Sequence, residues 1–199
     1  MKKSRLEAFS DGVVAIIITI MVLELRVPAP GKDGIKDLLP MVPFFLSYIL
    51  SFINVGIYWN NHHHMLYLVS TITGGALWAN LNLLFWLSLI PFGTEWMASN
   101  HFSTWPVVIY GAILIMCAVA YTILASILAS HCGKNSELAN ALGKDWKGKL
   151  SIVIYIIGII CSFWYPKLGC GCYGLVALIW FIPDRRIEQR VHNVHHQQE

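Results

Sequence analysis

Residues 9–25 read Phe9-Ser10-Asp11-Gly12-Val13-Val14-Ala15-Ile16-Ile17-Ile18-Thr19-Ile20-Met21-Val22-Leu23-Glu24-Leu25. The uninterrupted apolar run inside it, Val13 to Leu23, is too short to cross a membrane, because a hydrocarbon core about 30 Å thick takes roughly 20 helical residues. A full crossing therefore draws Ser10, Asp11 and Gly12 to membrane depth. A carboxylate there costs roughly 2.5–3.5 kcal/mol on insertion scales and normally faces protein or a water-filled cavity. The stretch predicts a first membrane helix that is internal rather than lipid-facing.

The rest of the chain agrees with a membrane protein. Of 199 residues, 56% are hydrophobic and 13% charged, against about 25% charged for a soluble domain. The net charge of +3 is too small for a nucleic-acid footprint, and no nucleic-acid partner is expected. Six apolar segments follow one another: Phe9 to Leu25, Leu38 to Tyr58, Ala76 to Trp96, Trp105 to Ala129, Leu150 to Tyr165, and Leu168 to Pro183. None alternates as a barrel strand does, and in hydrocarbon every backbone amide needs an internal partner, so the fold is read as all-α with six transmembrane helices. The last two segments are short and barely cross. Pro166 and Lys167 are expected to join them outside the cell.

With the N-terminus in the cytoplasm, Lys2, Lys3, Arg5, Lys134, Lys144, Lys147, Lys149, Arg185, Arg186 and Arg190 fall inside, and Arg26, Lys32, Lys36 and Lys167 outside. That excess satisfies the positive-inside rule and predicts a multi-pass protein of the inner (plasma) membrane with both termini cytoplasmic. The chain is read as one unit, residues 1–199. Helices one to four occupy 1–130, a cytoplasmic loop 131–149, helices five and six 150–184, and a cytoplasmic tail 185–199. Glu7, Asp11 and Glu24 argue against a cleaved leader. The aromatics Trp59, Trp96, Trp105 and Tyr165 suit interfacial belts. Five cysteines, an odd number lying mostly inside apolar runs, argue against a disulfide framework and read as small buried hydrophobes. Gly169, Gly171 and Gly174 are candidates for close helix contact.

On a helical wheel Ile16, Ile20 and Leu23 fall within about 60° of one another, with Thr19 at their edge and Asp11 roughly 140° from Ile16. Such a stripe suits a narrow pore; by itself it equally suits a packing seam. Ser10 and Asp11 point away from it and are better placed to hold the helix against neighbours, with Arg5, His62, His63, His64, Asn80 and Asn82 as the expected partners. Three consecutive histidines point about 100° apart on a helix and do not converge on one ion. No metal or cofactor is expected, and the histidines are read as hydrogen-bonding groups. His192, His195 and His196 belong to the solvated tail. Glu24 is either an acidic vestibule at the outer end of the helix or an interfacial acid paired with Arg26 or Lys32.

Arg5, then Phe9-Ser10-Asp11-Gly12, Ala15-Ile16, Thr19 and Leu23-Glu24 resemble the signature of the transmembrane-protein-175 potassium channels. Trp59 with His62-His63-His64, Asn80 with Asn82, and Pro91-Phe92 extend the resemblance more weakly. It implies a homotetramer of six-helix subunits whose first helices line a central pore. Ile16, Ile20 and Leu23 would form the apolar constriction rings and Thr19 a ring of hydroxyls for a partly dehydrated cation. Arg5, Phe9, Ser10, Asp11, Gly12, His62, His63, Asn80 and Asn82 would form the supporting motif. No Thr-Val-Gly-Tyr-Gly filter loop is present, so discrimination among monovalent cations should be modest.

The expected function is a passive potassium-conducting channel, not an enzyme, with monovalent cations, membrane lipid and three further copies of itself as partners. The rival is a proton-coupled or other secondary cation transporter using Asp11. Transporters typically carry repeats and broken helices around a midplane site, and the sequence offers neither.

Overall fold

The computed structural model describes residues 3–25, 27, 28, 31, 34–69, 71–133 and 146–181. These form seven α-helices: α1 (Lys3–Leu23), α2 (Val42–Tyr67), α3 (Gly74–Ser88), α4 (Ile90–Ser99), α5 (Thr104–Cys132), α6 (Trp146–Ser162) and α7 (Pro166–Phe181). A 3-10 turn, Ile35–Met41, leads into α2. No strand occurs among the described residues. Among the described residues, four stretches are long and apolar enough to cross a bilayer: Lys3–Leu23, Ile35–Tyr67, Gly74–Ser99 and Thr104–Cys132. The all-α membrane reading is met.

Local chemistry sets the helix ends. The Thr73 hydroxyl accepts from the Ala76 amide at 3.2 Å and caps α3, supplying one of the partners that a helix start lacks. Pro43 and Pro91 sit in the first turns of α2 and α4, where a missing N–H costs nothing. Pro91 also explains why the third crossing is broken at Leu89: it cannot donate to the carbonyl four residues back, so α3 cannot run on as one helix. Gly133 closes α5 at φ +93°, a conformation that glycine adopts without strain.

The core centres on α5, which packs against α3, α4, α6 and α7. α6 and α7 form a close pair joined by residues 163–165. Missing side chains make that closeness possible: a Cβ on Gly158 would stand 2.7 Å from the Tyr173 ring, and one on Gly169 would strike Ser162 Oγ and approach the Gly158 carbonyl oxygen to 2.8 Å. Gly111 of α5 is likewise filled by the Tyr173 phenol, which donates to the Val107 carbonyl at 3.1 Å.

The structure departs from the sequence reading at several points. The second helix continues to Tyr67, so the histidine cluster lies within it rather than after it. The third crossing is two helices. Pro166 and Lys167 start α7 instead of forming a loop. Of the three glycines expected to mediate close contact only Gly169 does so, since Gly171 and Gly174 have open space where a Cβ would stand. All five cysteines are free, but only Cys117 is fully buried. Helix α1, expected to be internal, packs among the described residues mainly against α2, α3 and α4 and leaves one whole face outside. The centre of the 131–149 loop and the 185–199 tail, with His192, His195 and His196, lie outside the described residues.

Gly169→Ala is expected to cost about 1–3 kcal/mol through overpacking, whereas Gly171→Ala should change stability by no more than about 0.5 kcal/mol. Thermal melting of the purified protein in detergent measures both.

Candidate functional site

Helix α1 has two faces. Leu6, Ser10, Val14, Ile17 and Met21, at steps of three and four, are buried inside the subunit. On the far side Ile16, Ile20 and Leu23 are 57%, 42% and 79% exposed. Arg5, Phe9, Gly12 and Thr19 are exposed as well, and at 100° per residue all seven fall within about 100° of the helix circumference. The fold thus brings the predicted stripe residues and Thr19 onto one open surface. The Thr19 hydroxyl donates to the Ile16 carbonyl at 2.9 Å, so its hydrogen is committed to its own helix and its lone pairs point outward.

Behind the stripe, three helices meet at one carboxamide. Asn80 of α3, fully buried, donates from Nδ2 to Ser10 Oγ of α1 at 3.0 Å. Its Oδ1 lies 2.7 Å from His62 Nε2 of α2. A carboxamide oxygen only accepts, so His62 carries its hydrogen on Nε2 and donates. No buried side-chain nitrogen or oxygen among the described residues lacks a partner, as burial in a low-dielectric interior requires.

Asp11 does not join this network. One position on from Ser10, it is rotated to the flank of α1, where Oδ1 accepts from Trp59 Nε1 of α2 at 2.9 Å. His63, one helical turn after Trp59, stacks on that indole with ring centroids 6.2 Å apart and 25° between planes. The expected partners of the Ser10–Asp11 pair therefore divide: Asn80 and His62 serve Ser10, Trp59 serves Asp11, and His63 supports Trp59. Arg5 and Asn82 are exposed and stand outside both clusters, and the His64 ring meets that of His63 at 5.7 Å. Trp59, expected in an interfacial belt from its position near a span end, is also the direct hydrogen-bond donor to the carboxylate. Its indole N–H, one of few strong donors near the end of the second apolar segment, is the signal that could have identified it.

A second polar cluster, missed in the sequence, joins α2, α4 and α5. Ser51 Oγ lies 2.5 Å from Thr94 Oγ1 and 2.9 Å from the Tyr110 hydroxyl, and Thr94 also donates to the Ile90 carbonyl at 2.8 Å. Hydroxyl residues in apolar runs are common enough that nothing in the sequence pairs these three. No group of three metal-ligating side chains converges among the described residues.

The family model for the endosomal/lysosomal potassium channel TMEM175 matches residues 5–91, a span that contains the stripe and both motif clusters. A potassium channel of Chryseobacterium sp. (strain P1-3) is 56% identical over 189 residues, 95% of this chain and 97% of that one. A potassium channel of Chamaesiphon minutus is 32% identical over 187 residues, covering 87% and 91%. The crystal structure of a lysosomal potassium-selective channel TMEM175 homolog from Chamaesiphon minutus superposes with a TM-score of 0.79 at 26% identity, over 90% of this chain and 96% of that one.

Asn80→Leu keeps the volume but strands Ser10 and His62, and is expected to destabilise the subunit by about 1–3 kcal/mol. The same change at Asn82 should cost less than about 0.5 kcal/mol. Unfolding midpoints of the two variants in detergent give the comparison.

Proposed function

The chain belongs to the TMEM175 family, and on that premise we propose that it is a passive potassium-conducting cation channel working as a homotetramer. It is a multi-pass membrane protein, placed by this reading in the bacterial plasma membrane with both termini in the cytoplasm, as the excess of Lys and Arg on that side favours. One observation carries the proposal: the face of α1 that the subunit leaves open holds the Ile16, Ile20 and Leu23 stripe, while the carboxylate of Asp11, on a separate flank of the same helix, is exposed as well. Lipid can cover the stripe alone. It cannot cover a carboxylate at membrane depth, which has to meet protein or water. Gathering four copies of α1 about an axis satisfies both, turning the stripes to the centre and the Asp11 flanks against neighbouring subunits.

In that arrangement Ile16, Ile20 and Leu23 form successive aliphatic rings. A narrow aliphatic ring sheds water and blocks ions, and a small rotation or separation of the helices wets it, so gating works by dewetting. Thr19 contributes oxygen lone pairs next to the Ile16 and Ile20 rings, because its hydrogen is held by the Ile16 carbonyl. Four such hydroxyls replace only part of a cation's hydration shell, which gives modest selectivity for potassium over sodium. Ser10, Asn80, His62, Asp11, Trp59 and His63 position α1 without touching the ion. Arg5, Phe9 and Gly12 share the open face below the rings.

Potassium flux from proteoliposomes made with the purified protein tests the reading. Wild-type protein should dissipate a potassium gradient with no co-ion requirement; flux that vanishes without a proton gradient would establish a coupled transporter instead. Ile16→Asn should raise the resting leak several-fold by wetting the innermost ring, and unchanged conductance and selectivity would remove Ile16 from the pore. Asp11→Ala should abolish assembly or conduction, read by gel filtration and flux together.

A further inference from the structure

The inward row of α1, Leu6, Ser10, Val14, Ile17 and Met21, continues by one more step of three to Lys3 at the start of the helix. There the side chain leaves α1 and meets the far end of α2. Lys3 Nζ donates to the Tyr67 carbonyl at 3.1 Å and stands 5.5 Å from the centre of the Tyr67 ring. Tyr67 is the last residue of α2, where carbonyls without a partner in the helix carry the negative end of its dipole and favour a cation. The ring face adds a cation–π attraction, and the Glu7 carboxylate, one turn further along α1, lies 3.7 Å from the same Nζ. The seat is itself tied down: four residues past Tyr67, Thr71 Oγ1 lies 3.0 Å from His131 Nε2 near the end of α5.

Among the described residues, side chains of α1 make polar contacts with other helices at two levels only. One is the Ser10 and Asp11 level, with Asn80 and Trp59; the other is Lys3. Beyond Ser10 the inward row is apolar and grips by packing alone. A rigid tilt of α1 therefore turns about Ser10. At about 1.5 Å per residue, Ile16 lies about 9 Å to one side of that pivot and Lys3 about 10.5 Å to the other, so moving Ile16 by about 2 Å carries the Lys3 backbone the opposite way by about 2.3 Å. Either the bond to Tyr67 then stretches past hydrogen-bond range, or the lysine stem must leave the ring to keep it. Both outcomes break the seated arrangement.

We propose that Lys3 is a positioning residue for the conduction path, a latch that favours the constricted state of the α1 rings by seating its ammonium on the C-terminal end of α2. It does not touch the ion. The inference rests on the channel reading, in which Ile16, Ile20 and Leu23 face a common axis, and it adds the group that opposes their separation. The seat recognises charge rather than bulk. Carbonyl oxygen, ring face and the Glu7 carboxylate are all electron-rich, and a neutral side chain of the same length satisfies none of them. Asn80 fixes the rotation of α1 at one level; Lys3, about two turns away, opposes its tilt.

Single-channel recording of the full-length protein in planar bilayers, in symmetrical potassium chloride, tests the latch. Lys3→Met keeps the stem and removes the charge. It should raise the open-to-closed ratio by about two- to fivefold, the scale of a partly exposed charge contact, with unit conductance and the potassium-to-sodium permeability ratio unchanged. Lys3→Arg should stay within about twofold of wild type, and Glu7→Gln should fall between the two. A role in folding alone would lower the number of active channels without moving the open-to-closed ratio, and a direct field on the ion would change unit conductance instead. Either result overturns the proposal, as does Lys3→Arg behaving like Lys3→Met. Amide hydrogen exchange of the same proteins in detergent reads the contact without current: amides 7–10 should exchange faster in Lys3→Met than in wild type or Lys3→Arg, and equal rates overturn the latch. Bilayers silent even with wild-type protein would overturn the channel reading and the gating role of Lys3 together, whereas unchanged gating beside a conducting wild type overturns the latch alone.

Discussion

The position of α1 depends on a single buried carboxamide. Asn80 is both donor and acceptor, and it uses each function on a different helix, Ser10 of α1 and His62 of α2. In water such bonds would exchange freely; inside a bundle an unmade one costs about 1–3 kcal/mol, and that asymmetry fixes the rotation of α1 about its own axis. Once Ser10 is turned inward, the 100° step of the helix leaves no freedom: Asp11 goes to the flank and Ile16, Ile20 and Leu23 go to the open side. The orientation of the aliphatic stripe therefore follows from a polar contact on the opposite face.

Much of this could be read from the residues. Apolar run lengths located the crossings, because hydrocarbon thickness leaves few ways to place them. The wheel separated the stripe from the acid, because helical phase depends only on position in sequence. What the residues withheld was the choice of partner between helices. His62, His63 and His64 are chemically alike, and which one meets Asn80 depends on the rotation of α2, which the run length does not set. Trp59 was read as an interface anchor for the same reason: an indole at a span end has two uses, and only the neighbouring helix decides between them.

Helix ends were the other loss. The first half of α2 is apolar and its second half carries Asn60, Asn61 and three histidines, so hydropathy stops it early although the backbone pattern continues to Tyr67. The break at Leu89 came from Pro91, whose missing N–H matters only if the helix would otherwise have run straight through. Among glycines, the sequence treats Gly169, Gly171 and Gly174 alike. Gly169 faces Gly158 across the α6–α7 contact while the other two do not, a distinction of helical phase between partners.

The shortness of α6 and α7 has a consequence for the surrounding lipid. At 17 and 16 residues and about 1.5 Å per residue they reach only about 24–26 Å, less than a typical hydrocarbon core of about 30 Å, while α5 with 29 residues exceeds it. A bilayer matched to these described lengths would be thinner beside α6 and α7 than beside α5, at a cost of a fraction of a kcal/mol per ångström of mismatch. Thinner membranes relieve that deformation, so acyl-chain length becomes a mechanical variable acting on this protein from its rim.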